Sequence, residues 1–263
     1  KHPIKIDIVG TLDSIRLIDK NILYKTYNTF YNPSNMVLFI IGDLSFNEIL
    51  EKVHKTENKD FKREAHGVKV VNPQEPGKIN EKYIEEKLHT SMPLFSIGFK
   101  DMELGNEGRE QIKKDLVTNI LLDILFGSSS KFYNELYDKG LIDNSLSTYF
   151  TGRGDYGYSL IAGQSVNPKE VYNQIIKYIN KIKKYNLSED SLNRIKNKSK
   201  GEFLMGLNSM EFISSDFMDS YFNGFNFLDF LDVLDSIQIM DIEYRLENHL
   251  LEENMVLSVI NPL

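Results

Sequence analysis

The chain has 263 residues, 41% of them apolar and 11% aromatic, enough to bury a core and to exclude disorder on composition. Its net charge is −7 and its lysines are dispersed among carboxylates, so no broad basic surface exists to neutralise phosphates, and nucleic acid is excluded as a partner. There are no cysteines, which removes disulfides and thiolate chemistry and fits a cytoplasmic location, and no apolar run reaches the roughly eighteen residues of a membrane span.

In chain order, helical spacing runs from about Leu12 to Tyr31 and stops at Pro33. Met36 to Ile41 is apolar throughout, as in a strand covered on both faces. Ser45 and Glu48 have the spacing of a capping box and open a helix to about His54. From Lys55 to Asn80 the apolar period is lost among Lys, Glu, Asn, Pro73, Pro76 and Gly77, which reads as a linker.

Lys82 to His89 and Pro93 to Asp101 read as extended segments. A long amphipathic helix follows from Gln111 to Phe126, and a second ends on Gly140, a suitable C-terminal cap. Asn144 to Gln164 alternates in period two around a Gly-rich turn and predicts a hairpin. Asn167-Pro168 opens the next helix, Ser188 another, and helices continue to about Leu251 before a closing strand. The basic run Lys177 to Tyr185 has helical spacing and reads as a solvated face. The aromatic run Asp216 to Leu234, with Phe217, Tyr221 and Phe225 at helical spacing, reads as core or interhelix packing. The class is α+β, an antiparallel sheet with helices on one face.

One repeat organises the chain. "LDSIRLIDKN" at Leu12 to Asn21 returns as "LDSIQIMDIE" at Leu234 to Glu243, and "NMVLFIIGD" at Asn35 to Asp43 returns as "NMVLSVINP" at Asn254 to Pro262. The offset is 222 residues at the first element and 219 at the second, so a three-residue deletion reconciles them. A period near a domain's length predicts two related units. We expect residues 1–54 to be the C-terminal tail of a first half-domain, 55–80 a linker and 81–263 a nearly complete second half-domain, in a chain that looks truncated.

The residues by themselves carry no catalytic constellation. His2, His54, His66, His89 and His249 contain no pair at zinc-ligand spacing. His89 beside Glu85 and Glu86 reads as a half-exposed strand paired with lysines. No G-x-S-x-G occurs, and "GSSSK" at Gly127 to Lys131 lacks P-loop spacing.

"HPIKIDIVGTLDSI" at His2 to Ile15, followed by "FYNPSNMVLFIIGD", resembles the middle of pitrilysin-like (insulinase, processing-peptidase) zinc metallopeptidases, inverzincins whose H-x-x-E-H lies in the first of two similar half-domains. "LLDILFGSSSKFYNELYDKGLIDNS" at Leu121 to Ser145 is similar to the second half-domain, most of all in a Gram-positive bacterial branch that works as paired subunits. The resemblance implies a pitrilysin-like half-domain fold, with zinc in the full-length parent and no catalytic or metal residue in this chain. Asn119, Leu122 and Asp123 would stand where His, Glu and His lie in the catalytic half. The family's substrate-holding Arg and Tyr would fall on Tyr137 and Asp143, neither matching. The implied partners are an N-terminal half-domain, a peptide substrate and a homologous subunit. The resemblance supports two readings: a substrate-enclosing C-terminal portion of a zinc peptidase, inactive alone, or a non-catalytic binding or assembly subunit of the same fold.

Overall fold

The structure is a computed structural model that describes residues 2–56, 68, 71 and 74–263. It divides into two compact units, residues 1–74 with 206–219, and residues 75–205 with 220–263. Most of the predicted linker, including His66 and Pro73, lies outside the described residues.

The first unit holds α1 (Leu12–Arg16), α2 (Lys20–Phe30) and α3 (Phe46–Thr56). The single helix expected over Leu12 to Tyr31 is two, because the Asp19 side chain accepts from the Ile22 N–H at 2.8 Å and starts a new helix. The twin motifs share local structure. A three-residue 3-10 turn ends on Asn35 in one and Asn254 in the other, with the next Met N–H closing onto Pro33 or Glu252. They then part. Met36 to Ile41 forms no strand, correcting the expectation, because a strand needs a ladder partner and none of the described segments pairs with it. Its side chains alternate between exposed (Met36, Leu38, Ile40) and half-buried (Val37, Phe39, Ile41), and Phe39 stacks on Phe217 with centroids 4.5 Å apart.

The second unit is built on a five-stranded sheet of β1 (Tyr83–Leu88), β2 (Leu94–Lys100), β3 (Ser147–Gly152), β4 (Gly157–Gln164) and β5 (Met255–Pro262), in the order β1-β5-β2-β4-β3. Its pairs are antiparallel except β1 with β5, which is parallel. Alternate residues face the core, Phe95, Ile97 and Phe99 on β2 and Met255, Leu257 and Val259 on β5. α4 (Gly108–Phe126) packs on β3, and α5 (Lys131–Asp138) follows it. Gly140, at φ +64°, ends α5 as expected, since it frees the Leu141 N–H to reach the Leu136 carbonyl at 3.0 Å.

α6 (Pro168–Ile182) is capped by Asn167 and buries Val171, Ile175 and Ile179 on the side that meets β2. Each of these contributes roughly 1.5–3 kcal/mol. α7 (Glu189–Gly206), α8 (Met210–Phe222), α9 (Asp229–Ser236) and α10 (Ile239–His249) complete the chain. Within the aromatic run Tyr221 and Phe222 are exposed, whereas Phe227 is buried and with Phe230 lies against Phe203 of α7. Among the described residues no helix is long and apolar enough to cross a membrane.

Candidate functional site

α4 carries the three positions that resemblance assigns to a zinc centre, and each has a structural occupation. The Asn119 side-chain oxygen accepts from the Phe150 N–H of β3 at 2.9 Å, while its amide donates to the Asp115 carbonyl at 2.9 Å. Leu122 is fully buried in the core. Asp123 is ion-paired with Lys198 of α7 at 2.8 Å. One amide, one alkyl chain and one neutralised carboxylate do not make a three-ligand zinc site. Among the described residues no three His, Cys, Asp or Glu side chains are grouped to hold a metal.

Tyr137 and Asp143, the positions matched to the family's substrate-holding pair, lie on either side of the α5 cap. Tyr137 is exposed and stacks on Tyr133 with centroids 6.2 Å apart. The Asp143 carboxylate accepts from the Ser145 N–H at 2.9 Å and from the Ser145 hydroxyl, and these bonds hold it below the usual carboxylate range. It is spent on a local turn. Tyr133 links the two, since its hydroxyl donates to the Asp143 carbonyl at 3.4 Å.

The strongest concentration of charge lies elsewhere, where β2 ends against α10. Arg245, 2% exposed, donates from Nε to Thr118 Oγ1 at 2.8 Å and from Nη1 to Asp101 at 2.9 Å and Glu103 at 3.0 Å. Lys114 adds an ion pair to Asp101 at 3.3 Å and a bond to the Glu103 carbonyl at 2.8 Å. Burial pushes the Asp101 carboxyl up, but the Arg245 guanidinium at 2.9 Å, with His249 close by, outweighs it and holds the group well below the usual carboxylate range. Phe150 floors the cluster: its ring lies 5.2 Å from the Arg245 guanidinium carbon and edge-on to His249. The cluster opens on one side into a cleft of about 390 Å³ lined by Glu103, Lys113, Lys114, Asp241, Tyr244 and Arg245. The side chains on its wall are bonded to one another, Lys113 to Asp241 at 2.8 Å and Tyr244 to Glu103 at 2.6 Å.

Asp101, His249 and Ser159 stand in the order of a charge relay, with Ser159 Oγ 2.6 Å from His249 Nε2. The geometry does not support acyl transfer. Ser159 is fully buried, and His249 Nδ1 lies 3.6 Å from Asp101 Oδ1, beyond a hydrogen bond. Burial pushes the His249 imidazole down, against the pull of Asp101, so the ring is neutral in the fold. The group is a polar core tie between β2, β4, α4 and α10.

Sequence reasoning passed over Arg245 and His249. A signal existed: Ile242, Arg245, Leu246 and His249 recur at helical spacing on α10 and all are buried, so two ionisable residues sit on its apolar face.

Comparison with known proteins agrees with this geometry. The family described as peptidase M16 inactive domain matches residues 18–199. The chain is 30% identical over 262 residues to the uncharacterized zinc protease YmfH of Bacillus subtilis, covering 100% of this chain and 61% of that protein. It is 22% identical over 224 residues to the zinc protease PqqE of Helicobacter pylori, covering 83% of this chain and 49% of that one. Among solved structures, one described as an M16-like peptidase from Alicyclobacillus acidocaldarius superposes with TM-score 0.93 at 31% identity, over 100% of this chain and 63% of that chain. The chain thus spans about half to two thirds of the length of these relatives.

Proposed function

Because this chain belongs to the peptidase M16 family and corresponds to its inactive domain, we propose that it is the non-catalytic, substrate-enclosing C-terminal portion of a pitrilysin-like zinc peptidase. Zinc and its general base belong to a preceding half-domain, and this portion walls the chamber in which a peptide is cut. In this reading residues 1–54 are the tail of the preceding half-domain and residues 81–263 the inactive half, and a homologous subunit and a peptide complete the working assembly.

The observation that carries the proposal is the α4 triad. The positions that would hold zinc in a catalytic half are bound into the fold, Asn119 to the backbone of β3, Leu122 in the core and Asp123 to Lys198. Metal chemistry at this locus has been replaced by packing, while the helix and sheet that frame it persist.

The test compares the full-length parent with this chain. The parent is expected to bind one equivalent of zinc and to cleave peptides in a chelator-sensitive way, and the chain alone to do neither. A parent without H-x-x-E-H and without cleavage would favour the binding or assembly subunit instead.

A further inference from the structure

We propose that Asn119 is an edge guard, whose side-chain amide, with the guanidinium of Arg153, occupies the outward backbone of β3 and closes that rim of the sheet to an added strand. The inference stands on sheet chemistry and does not depend on the peptidase reading.

β3 ends the sheet order, so one of its rims has no neighbouring strand among the described residues. Such a rim presents unpaired N–H and C=O groups and templates the pairing of another chain. The hairpin fixes which groups point outward. Arg153 donates its N–H to the Tyr156 carbonyl at 2.7 Å, and the register pairs Gly152 with Gly157 and Phe150 with Ser159. Alternation along an antiparallel ladder then turns the backbone of Thr148, Phe150 and Gly152 away from β4.

Side chains hold two of these three positions. The Phe150 N–H donates to Asn119 Oδ1 at 2.9 Å, and the Gly152 carbonyl accepts from Arg153 Nη1 at 3.0 Å. The guard is itself braced: Asn119 donates to the Asp115 carbonyl, and Asp115 accepts from Gln111 Nε2 at 2.6 Å. Gln111, Asp115 and Asn119 are four residues apart on α4 and form a single stripe. At the top of the stripe a Cβ on Gly152 would lie 2.9 Å from Gln111 Nε2 and from the Phe150 ring, so a larger residue there would push those side chains aside. Asn119 is exposed, so its bond to the Phe150 N–H lies within reach of solvent and of an incoming strand. An extended chain could reach the Phe150 N–H only by displacing a side-chain amide that is already in place.

Amide exchange on the intact chain tests this, with a synthetic peptide of the β4 sequence, Gly157 to Gln164, as the strand probe. In the wild type the Phe150 amide is expected to exchange at least about tenfold more slowly than that of Thr148, the next outward N–H on the same rim. Asn119→Ala should abolish that difference, and millimolar peptide should then slow both amides. Asn119→Asp keeps the acceptor and should leave Phe150 protected and unresponsive to peptide. Equal exchange at Phe150 and Thr148 in the wild type, or Ala and Asp variants that behave alike, would overturn the proposal, as would peptide protection of the wild-type rim.

Discussion

The Arg245 guanidinium grips Asp101 with both terminal nitrogens, Nη1 2.9 Å from Oδ1 and Nη2 2.9 Å from Oδ2, across 144 residues of sequence. Both side chains are almost wholly buried. Removing Arg245 takes away the two closest charge contacts of the buried Asp101 and leaves Lys114, at 3.3 Å, as its remaining counter-ion, so Arg245→Leu should destabilise the fold by about 3 kcal/mol. Adding Asp101→Asn should recover little of that loss, since the buried Lys114 then loses its carboxylate partner. Urea unfolding of the two variants checks this, and a single-variant cost under about 1 kcal/mol would contradict it.

The same cluster sets the pH dependence, with groups acting in opposite directions. Asp101 has a folded-state pKa below its unfolded value, so its contribution is complete above about pH 4 and is lost as pH falls further. His249 is buried neutral, and its contribution is present above about pH 6.5 and lost as pH falls toward its lowered folded value. Burial pushes Asp115 up to about 6, so its charged form costs stability at neutral pH and protonation relieves that cost as pH falls from 6 toward 4. Asp115→Asn should therefore raise stability at pH 7.5 by about 2 kcal/mol and change little below pH 4. Denaturation midpoints at the two pH values are the measurement, and an equal effect at both would rule this cause out.

The twin segments Met36 to Ile41 and Met255 to Ile260 should differ sharply in amide exchange despite their near-identical start. Met255 to Ile260 is laddered to β1 and β2, whereas Met36 to Ile41 has no strand pairing among the described residues. Exchange in the first segment should be faster by about two orders of magnitude or more. Comparable protection of both would mean that Met36 to Ile41 finds a partner strand in solution.

Installing an H-x-x-E-H pattern on α4 should not create a metal centre. Asn119→His, Leu122→Glu and Asp123→His together place a carboxylate where Leu122 is fully buried and remove the Lys198 ion pair. The triple variant should lose at least about 3 kcal/mol, mostly through Leu122, and bind no stoichiometric zinc. A folded variant with one tightly bound zinc would show that the locus kept its geometry after all.

Much of the fold was legible because its signals are local. Asn167-Pro168 opens α6, Gly140 ends α5, and the period-two run around the Gly-rich turn is the β3–β4 hairpin. The closing strand β5 lies where its apolar run predicts it, although its twin Met36 to Ile41 forms no strand. What sequence left open depends on partners distant in the chain. Met36 to Ile41 has the composition of a strand, but a ladder is a relation between two segments, and composition describes only one. The parallel pairing of β1 with β5 is equally non-local. The charge cluster was missed because a buried Asp101 and an exposed Asp look alike in a string of letters. Only the helical spacing of α10 distinguishes Arg245 and His249 from solvated residues.

The most direct test of the central claim, that this half of the fold has given up catalysis, is metal content and peptide cleavage measured together on the purified chain. After dialysis the chain should retain well under one zinc per molecule and leave a panel of unstructured peptides intact. One zinc per chain that survives dialysis, with cleavage that a chelator abolishes and zinc restores, would contradict the account.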